Sequence, residues 1–577
     1  MLFRSVVTGV RRILALAAVL AVSCGRPRNN FGDFAEEYFN AYYAAHPSQG
    51  TAAGFHQYDA VLEDLSAGAR AARIGTLKRQ RERIKTIRTE RLEGGDAIDA
   101  AVLEGQIEAE LLQLETLKTW RANPMIYVEL PGSAIDGLMK RDFAPAAARL
   151  KSVSARLKSV PAVFQAMREN VGNPPKEFTD LAIRMAAGSV GFFRDSVASW
   201  AKQAAGADRA LLDEFEAANR AAVEAAASAA AWLKSDLAPR SKGNYAIGAE
   251  NFARQLLYEE MMEVPLARLL EIGEANLEKD YRAFVETARA IDPRRTPAEV
   301  MASLAADHPS AEGLMEAAKG NLEAIRRFLI EKNLVTVPSE VRPIVQETPP
   351  YARSGSFASM DSPGAYETKA EEAFYYVTPV EAEWDAKHKE EHLRLYNRPV
   401  MDMISIHEAY PGHFVQFLYV KQFPSKTRKL TYSSSNVEGW AHYSEQMMVE
   451  EGFGAGDLKV RLAQLQEALL RDCRYVAGIR LHTRGMSVED AAKIFVTKGF
   501  QEPANAYEEA RRGAYNPTYL YYTAGKLQIY KLREDYRKAR GAAFSLREFH
   551  DAFLRQGGIP IKLMREILLP GDTAPVL

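Results

Sequence analysis

The chain has 577 residues, 47% of them hydrophobic and 26% charged, an ordinary globular composition with material for several sub-domains. A net charge of −1 gives no electrostatic reason to expect nucleic acid or a strongly acidic molecule as partner.

Residues 1–24 read as an export signal. Arg4, Arg11 and Arg12 precede a short apolar run over 13–22, too short to span a bilayer as a mature helix. The run ends at Ala21-Val-Ser-Cys24-Gly, which looks like a bacterial lipobox with Ala21 in place of the usual leucine. The expectation is a chain exported to the bacterial cell envelope, with Cys24 acylated as its new N-terminus and its point of membrane attachment. Plain cleavage nearby would instead leave a soluble periplasmic protein. With Cys24 lipidated, Cys473 has no partner and serves as a small buried apolar residue.

Residues 25–334 form an N-terminal region that is helical almost throughout, so the fold class expected is mainly α. The basic amphipathic stretch 75–91 reads as a helix with a solvated charged face. Residues 96–119 place Leu103, Ile107, Leu111, Leu114 and Leu117 at helical spacing, and 207–237 is rich in alanine, the best helix former. Breaks are expected at Asn123-Pro124, Pro131-Gly132, Pro174-Pro175 and Pro239.

From Val335 the composition changes. Prolines and β-formers (VRPIVQETPPYARSGSF, then AFYYVTPV) predict a small sheet or hairpin leading into the helix that follows. An edge strand there would offer backbone groups to an extended peptide. Residues 335–577 form the metal-site region, one integrated unit with the N-terminal region. His388-Lys-Glu-Glu-His392 matches an inverted zinc motif, H-x-x-E-H. Its neighbours Asp385, Lys387, Lys389, Glu390 and Arg394 make it a solvated helix face instead.

The stretch 405–420, SIHEAYPGHFVQFLYV, carries His407, Glu408 and His413 between apolar residues. Imidazole and carboxylate are zinc ligands, and a glutamate beside a liganding histidine can serve as general base. The histidines lie six apart, about 120° around an undistorted helix, so they share an ion only if the helix is bent. Pro411-Gly412 between them is what would bend it. Downstream, Glu438, His442 and Glu445 recur at i, i+4 and i+7 on one helix face, and Glu438 can complete a site of two histidines and one glutamate. That stripe beside Trp440, Met447 and Met448 predicts a lined cavity. Further helices are expected over 457–485 and 487–498. The stretch 507–530 holds Arg511, Arg512, Tyr515, Tyr519, Tyr521 and Tyr522, from which a donor to a developing oxyanion could come; packing explains any single tyrosine equally well.

The segment His407-Glu408-Ala-Tyr-Pro411-Gly412-His413-Phe-Val-Gln416 resembles the HExxPGHxxQ signature of the bacterial domain-of-unknown-function family numbered 885. Val437-Glu438-Gly-Trp-Ala-His442-Tyr-Ser-Glu445 resembles its EGWA motif. His46-Pro47, Gly54-Phe-His-Gln-Tyr58-Asp59, Trp120-Arg-Ala-Asn-Pro124, 544–551 and Gly557-Gly-Ile-Pro560 are similar to the family too, so the likeness covers nearly the whole mature chain. The resemblance implies a mostly helical, cleft-shaped protein similar to helical zinc peptidases. It implies one zinc ion held by His407, His413 and Glu438, with Glu408 activating water. Gln416 and Glu445 would support the ligands, and His442, where an aliphatic residue is expected, is an extra ligand or a filler of space. His482, Arg512, Tyr521 and Tyr522 are the candidates to meet the reacting carbonyl or the substrate.

The function expected is an exported zinc metallopeptidase acting on short peptides. Hydrolysis of another amide or an ester, or a binding lipoprotein without catalysis, are the rivals. A binding protein needs no general base, so Glu408 separates the last of these from the rest.

Overall fold

The computed structural model describes residues 31–87, 92, 94–349, 353 and 357–577. Cys24 and the whole of 1–24 lie outside them. Of the described residues 71% are helical, and they include one three-stranded sheet, the mainly α class expected.

Helix boundaries in the N-terminal half follow most of the sequence signals. Ser66 caps a helix that begins at Ala67, earlier than the basic stretch alone marks; its Lys78 and Arg83 pair with Glu115 and Glu37 at the surface. Residues 88–91 lie outside the description. Pro131-Gly132 does not break the chain: Pro131 sits buried inside the helix Met125–Met139. A proline costs an internal helix bond, and burial of that apolar stretch outweighs the loss here. The alanine-rich segment forms Arg209–Trp232 and runs on through a π turn at Leu233–Leu237 to Arg240, one residue past the break expected at Pro239. One hydrophobic core runs from Leu62 to Leu569 and takes residues from both sides of position 335. A second cluster joins the first helices, Phe31–Ala45, Ala67–Thr86 and Gly95–Leu111.

The sheet is β1 (Ile344–Glu347), β2 (Ala358–Asp361) and β3 (Phe374–Val377), in the order β1-β3-β2. β1 runs parallel to β3 and β2 antiparallel to it, so this is a small sheet with a crossover, and β2 is an edge. Seven helices bear on the site: α1 (Leu266–Ile291), α2 (Arg398–Glu408), α3 (His413–Gln422), α4 (Ser434–Glu450), α5 (Leu458–Thr483), α6 (Pro503–Tyr515) and α7 (Tyr521–Arg540).

Three devices position them. The buried Glu260 carboxylate accepts from the Ser434 and Ser435 backbone N–H groups at 2.9 and 3.0 Å and from the Ser433 and Ser435 hydroxyls. It thereby satisfies the otherwise orphaned donors at the start of α4, where the helix dipole favours negative charge. Gly439 of α4 faces Gly525 of α7. A Cβ at Gly525 would fall 1.9 Å from the Ser435 carbonyl oxygen, so only two glycines permit this approach. Finally, Trp440, Met447 and Met448 are fully buried. They are core residues, and each contributes roughly 1.5–3 kcal/mol of burial.

Among the described residues no helix is long and apolar enough to cross a membrane.

Candidate metal centre

α2 ends at Glu408 and α3 begins at His413, so the expected bend is a complete break over 409–412. The Tyr410–Pro411 peptide is cis. The Gly412 N–H donates to the Ile406 carbonyl at 3.1 Å, folding the turn back on α2. A Cβ on Gly412 would lie 1.8 Å from the His407 carbonyl oxygen, so glycine is required. Trp440 holds the turn from the other side, its indole N–H donating to the Pro411 carbonyl at 2.9 Å.

This break brings the two imidazoles together, with ring centroids 4.8 Å apart and planes at 88°. Both Nε2 atoms converge on Glu438 Oε2, each at 3.4 Å. Ligand atoms about 2.1 Å from one tetrahedral ion lie about 3.4 Å from each other, whereas a good N–H···O bond is nearer 2.9 Å. Glu438 Oε2 is buried and makes no hydrogen bond. An orphaned buried carboxylate oxygen facing two imidazole nitrogens is the chemistry of a cation seat.

Glu408 stands beside this group: His407, His413 and Glu408 can each bring one ligand atom within 4.8 Å of the others. The two carboxylates are distinguishable. Glu408 Oε2 already accepts from the Met360 N–H of β2 at 2.9 Å, and Glu438 Oε2 has no such partner. Glu438 is therefore the better placed ligand and Glu408 the better placed base.

The ring of His407 is oriented from behind. Its Nδ1 donates to Glu445 Oε1 at 2.7 Å, and Glu445 in turn sits 3.2 Å from His442 Nδ1 and 3.6 Å from Arg471. Burial opposes the ionised form of Glu445, and Arg471, His442 and His407 outweigh it and hold its pKa well below the carboxylate range. Glu438 is likewise held low against burial by His407 and His413. Burial, with Lys526 nearby, pushes His442 down to about 3.

A profile of bacterial proteins of unknown function, DUF885, matches residues 47–568. This chain belongs to the DUF885 family. Among solved structures it is similar to a candidate lipoprotein of unknown function from Shewanella oneidensis, at 25% identity and a TM-score of 0.77, over 93% of this chain and 99% of that one. It also shares its fold with a candidate lipoprotein from Colwellia psychrerythraea, at 17% identity and a TM-score of 0.79, over 93% and 98% of the two chains. No curated protein matches it.

The other residues singled out in this DUF885 sequence separate into two groups. Gln416 Nε2 donates to Asn436 Oδ1 at 2.8 Å, and Asn436 donates to the Ile559 carbonyl, so Gln416 ties α3 to the start of α4. His442 is fully buried behind Glu445, which makes it a support to the first histidine's partner, away from the Nε2 atoms. Tyr522 comes within reach: its ring lies 6.3 Å from that of His407, and burial with the Glu438 charge pushes its phenol up to about 12. Tyr521 packs on Tyr522 at 5.3 Å and its hydroxyl accepts from Asn516. The Arg512 guanidinium lies 5.5 Å from the Tyr519 ring.

His482 goes elsewhere. It is eleven residues beyond Arg471 on α5, about 16 Å along the helix. Its Nε2 bonds the Gly513 carbonyl at 2.8 Å and burial pushes its pKa down to about 4. It fastens α6 to α5, and no contact joins it to the metal-ligand candidates among the described residues. The rival motif is no site either. His388 is exposed and stacks on Trp384 at 4.0 Å, whereas His392 is a core histidine bonded to the Thr378 carbonyl.

Sequence reasoning missed Met360, Arg471 and Lys526. Arg471 and Asp472 interrupt the apolar middle of α5, and charge in such a run is the signal that marks them. Lys526 is buried 3.6 Å from Asp280 of α1, and its charge adds to burial in lowering the pKa of His442.

A cavity of about 310 Å³ adjoins the cluster between β2 and α3. Met360, Gln416, Phe417, Val420, Tyr432 and Val437 line it. A larger hollow of about 420 Å³ near Lys118 and Arg121 contains no histidine, carboxylate or cysteine.

Proposed function

We propose that this chain is a zinc-dependent hydrolase of the bacterial cell envelope that cleaves amide bonds in short peptides. The observation that carries the reading is the convergence of His407 and His413 on the unpartnered Glu438 oxygen at 3.4 Å each. His407, His413 and Glu438 would hold the ion and leave a position open. Zinc bound there supplies a Lewis acid that polarises a carbonyl and acidifies water.

The protein's own groups divide the rest of the work. Glu408 takes a proton from water and returns it to the leaving nitrogen, with the Met360 N–H fixing one carboxylate oxygen so that the other is free to move it. Glu445 holds His407 in the tautomer that aims Nε2 at the site. Tyr522, beside His407, is the donor best placed for the oxyanion. The edge strand β2 aligns an extended backbone, and the 310 Å³ cavity receives one large side chain against Phe417 and Val420.

Attachment to a membrane through a lipidated Cys24 fits the signal-like segment 1–24 and the lipoprotein descriptions of the Shewanella and Colwellia proteins.

The test is Glu408→Gln, assayed on a peptide pool alongside zinc content. The expected outcome is full zinc occupancy with hydrolysis reduced by about 10²-fold or more. Undiminished function of this variant would favour a binding lipoprotein, and hydrolysis of esters with no peptide cleaved would move the substrate class.

A further inference from the structure

Tyr432 is the most exposed large apolar side chain among the described residues, at 69%. A lone exposed aromatic needs no explanation, but this one lines the 310 Å³ cavity beside the histidine–glutamate cluster, a hollow of ligand size. Its backbone is fixed. Tyr432 bridges to Gly558, the Ser433 N–H donates to the Gly558 carbonyl at 2.6 Å, and a Cβ on Gly558 would come 3.0 Å from that of Tyr432. At that exposure the ring is free to swing over an occupant.

The cavity is joined to the cluster by direct contacts of its walls. Met360 gives its N–H to Glu408 at 2.9 Å, the Phe417 ring lies nearly parallel to that of His413 at 5.9 Å, and Val437 immediately precedes Glu438. On α3, Gln416, Phe417 and Val420 follow His413 at i+3, i+4 and i+7, so one helix face leads from that histidine along the wall for about 10 Å. A group held there sits next to the atoms that react. The walls also set its chemistry, because each charged residue among them is already engaged. Asp361 pairs with Lys140 and Arg141 at 2.5 and 2.9 Å, Lys421 pairs with Glu371 at 2.8 Å, and the Lys429 ammonium lies 5.2 Å over the Tyr366 ring. A charged side chain would lose hydration for partners that are taken, whereas an apolar one gains with the area it buries.

We infer that this cavity selects a large apolar side chain, an aromatic one above all, on the substrate residue beside the scissile bond, and that Tyr432 is the specificity residue that covers it. The inference rests on the metal-hydrolase reading and names its substrate class: short peptides with an aromatic or large aliphatic residue at the bond that is cut.

Binding to the zinc-loaded full chain tests it without turnover. Acetohydroxamate needs only the metal. N-acetyl amino-acid hydroxamates add a side chain on the acyl side of the bond, and 2-substituted succinyl hydroxamates add one on the amine side. Each series carries hydrogen, benzyl, carboxymethyl or aminobutyl at that position. In the wild type benzyl should bind at least about tenfold tighter than hydrogen in one series, which assigns the side, and neither charged group should gain as much. Tyr432→Ala should cut the benzyl preference at least about threefold and leave acetohydroxamate affinity unchanged, which also shows that the variant is folded. Tyr432→Phe should keep the preference, because the ring and not the hydroxyl does the covering. Equal binding of benzyl and hydrogen in both series, a charged group preferred to benzyl, or a benzyl preference untouched by Tyr432→Ala overturns the inference and leaves the metal reading standing. Acetohydroxamate failing to bind the wild type overturns both.

Discussion

His407 donates from Nδ1 to Glu445 at 2.7 Å, and Glu445 is wholly buried between that ring, His442 and Arg471. The candidate ligand is thus held by a carboxylate that never meets solvent. Replacing Glu445 by glutamine keeps the shape and removes the charge, and zinc affinity should fall by about 10–100-fold in a chelator competition. Glu445→Ala leaves the buried His407 Nδ1–H without its acceptor while Arg471 keeps Glu467, and should cost about 1–3 kcal/mol in urea unfolding. Unchanged zinc affinity in the glutamine variant would show that the pair does not serve the metal.

The turn between the histidines tolerates no side chain at position 412. Gly412→Ala pushes a methyl into the His407 carbonyl, which is backbone and cannot swing away. A loss of roughly 3 kcal/mol or more is expected, together with loss of the metal, since overpacking against backbone must move α2 or α3. Elemental analysis and an unfolding curve on the same sample check both.

Trp440 fixes that turn through one hydrogen bond to the Pro411 carbonyl. Trp440→Phe keeps much of the ring packing and orphans the carbonyl, so a cost of about 1–3 kcal/mol is expected. Urea denaturation measures it, and a change below a few tenths of a kcal/mol would contradict the role.

In the metal-free protein burial disfavours the charged form of His407, but Glu438 and Glu445 outweigh it and lift its pKa to about 9. An unfolded histidine titrates at about 6.5. The folded state therefore binds this proton more tightly, and the stability it contributes is complete below about pH 6.5 and is lost as pH rises through about 9. Zinc must expel the same proton, so affinity should climb across that window with about one proton released per ion. Calorimetric zinc titrations at pH 7 in buffers of different ionisation enthalpy count it; no release contradicts the charge state.

Local chemistry was legible in the sequence, and long-range pairing was not. Pro411-Gly412 between His407 and His413 announced the break, and the i, i+4, i+7 spacing announced that Glu438, His442 and Glu445 share a face. Which of them meets solvent depends on the depth of α4 in the core, which spacing does not encode. The hold of Met360 on Glu408 depends on the register of an edge strand 48 residues earlier. His482 reads in the sequence as a candidate oxyanion or substrate contact, but α5 carries it some three turns past Arg471. Pro131 failed as a breaker because a buried apolar helix outweighs one lost bond.

The central claim is that His407, His413 and Glu438 form one zinc seat. Elemental analysis of the mature chain, of His407→Ala and of Glu438→Ala tests it most directly. About one zinc per wild-type chain, lost in both variants while each stays folded, is the expected result. No metal in the wild type after zinc is supplied, or full occupancy in Glu438→Ala, would contradict it.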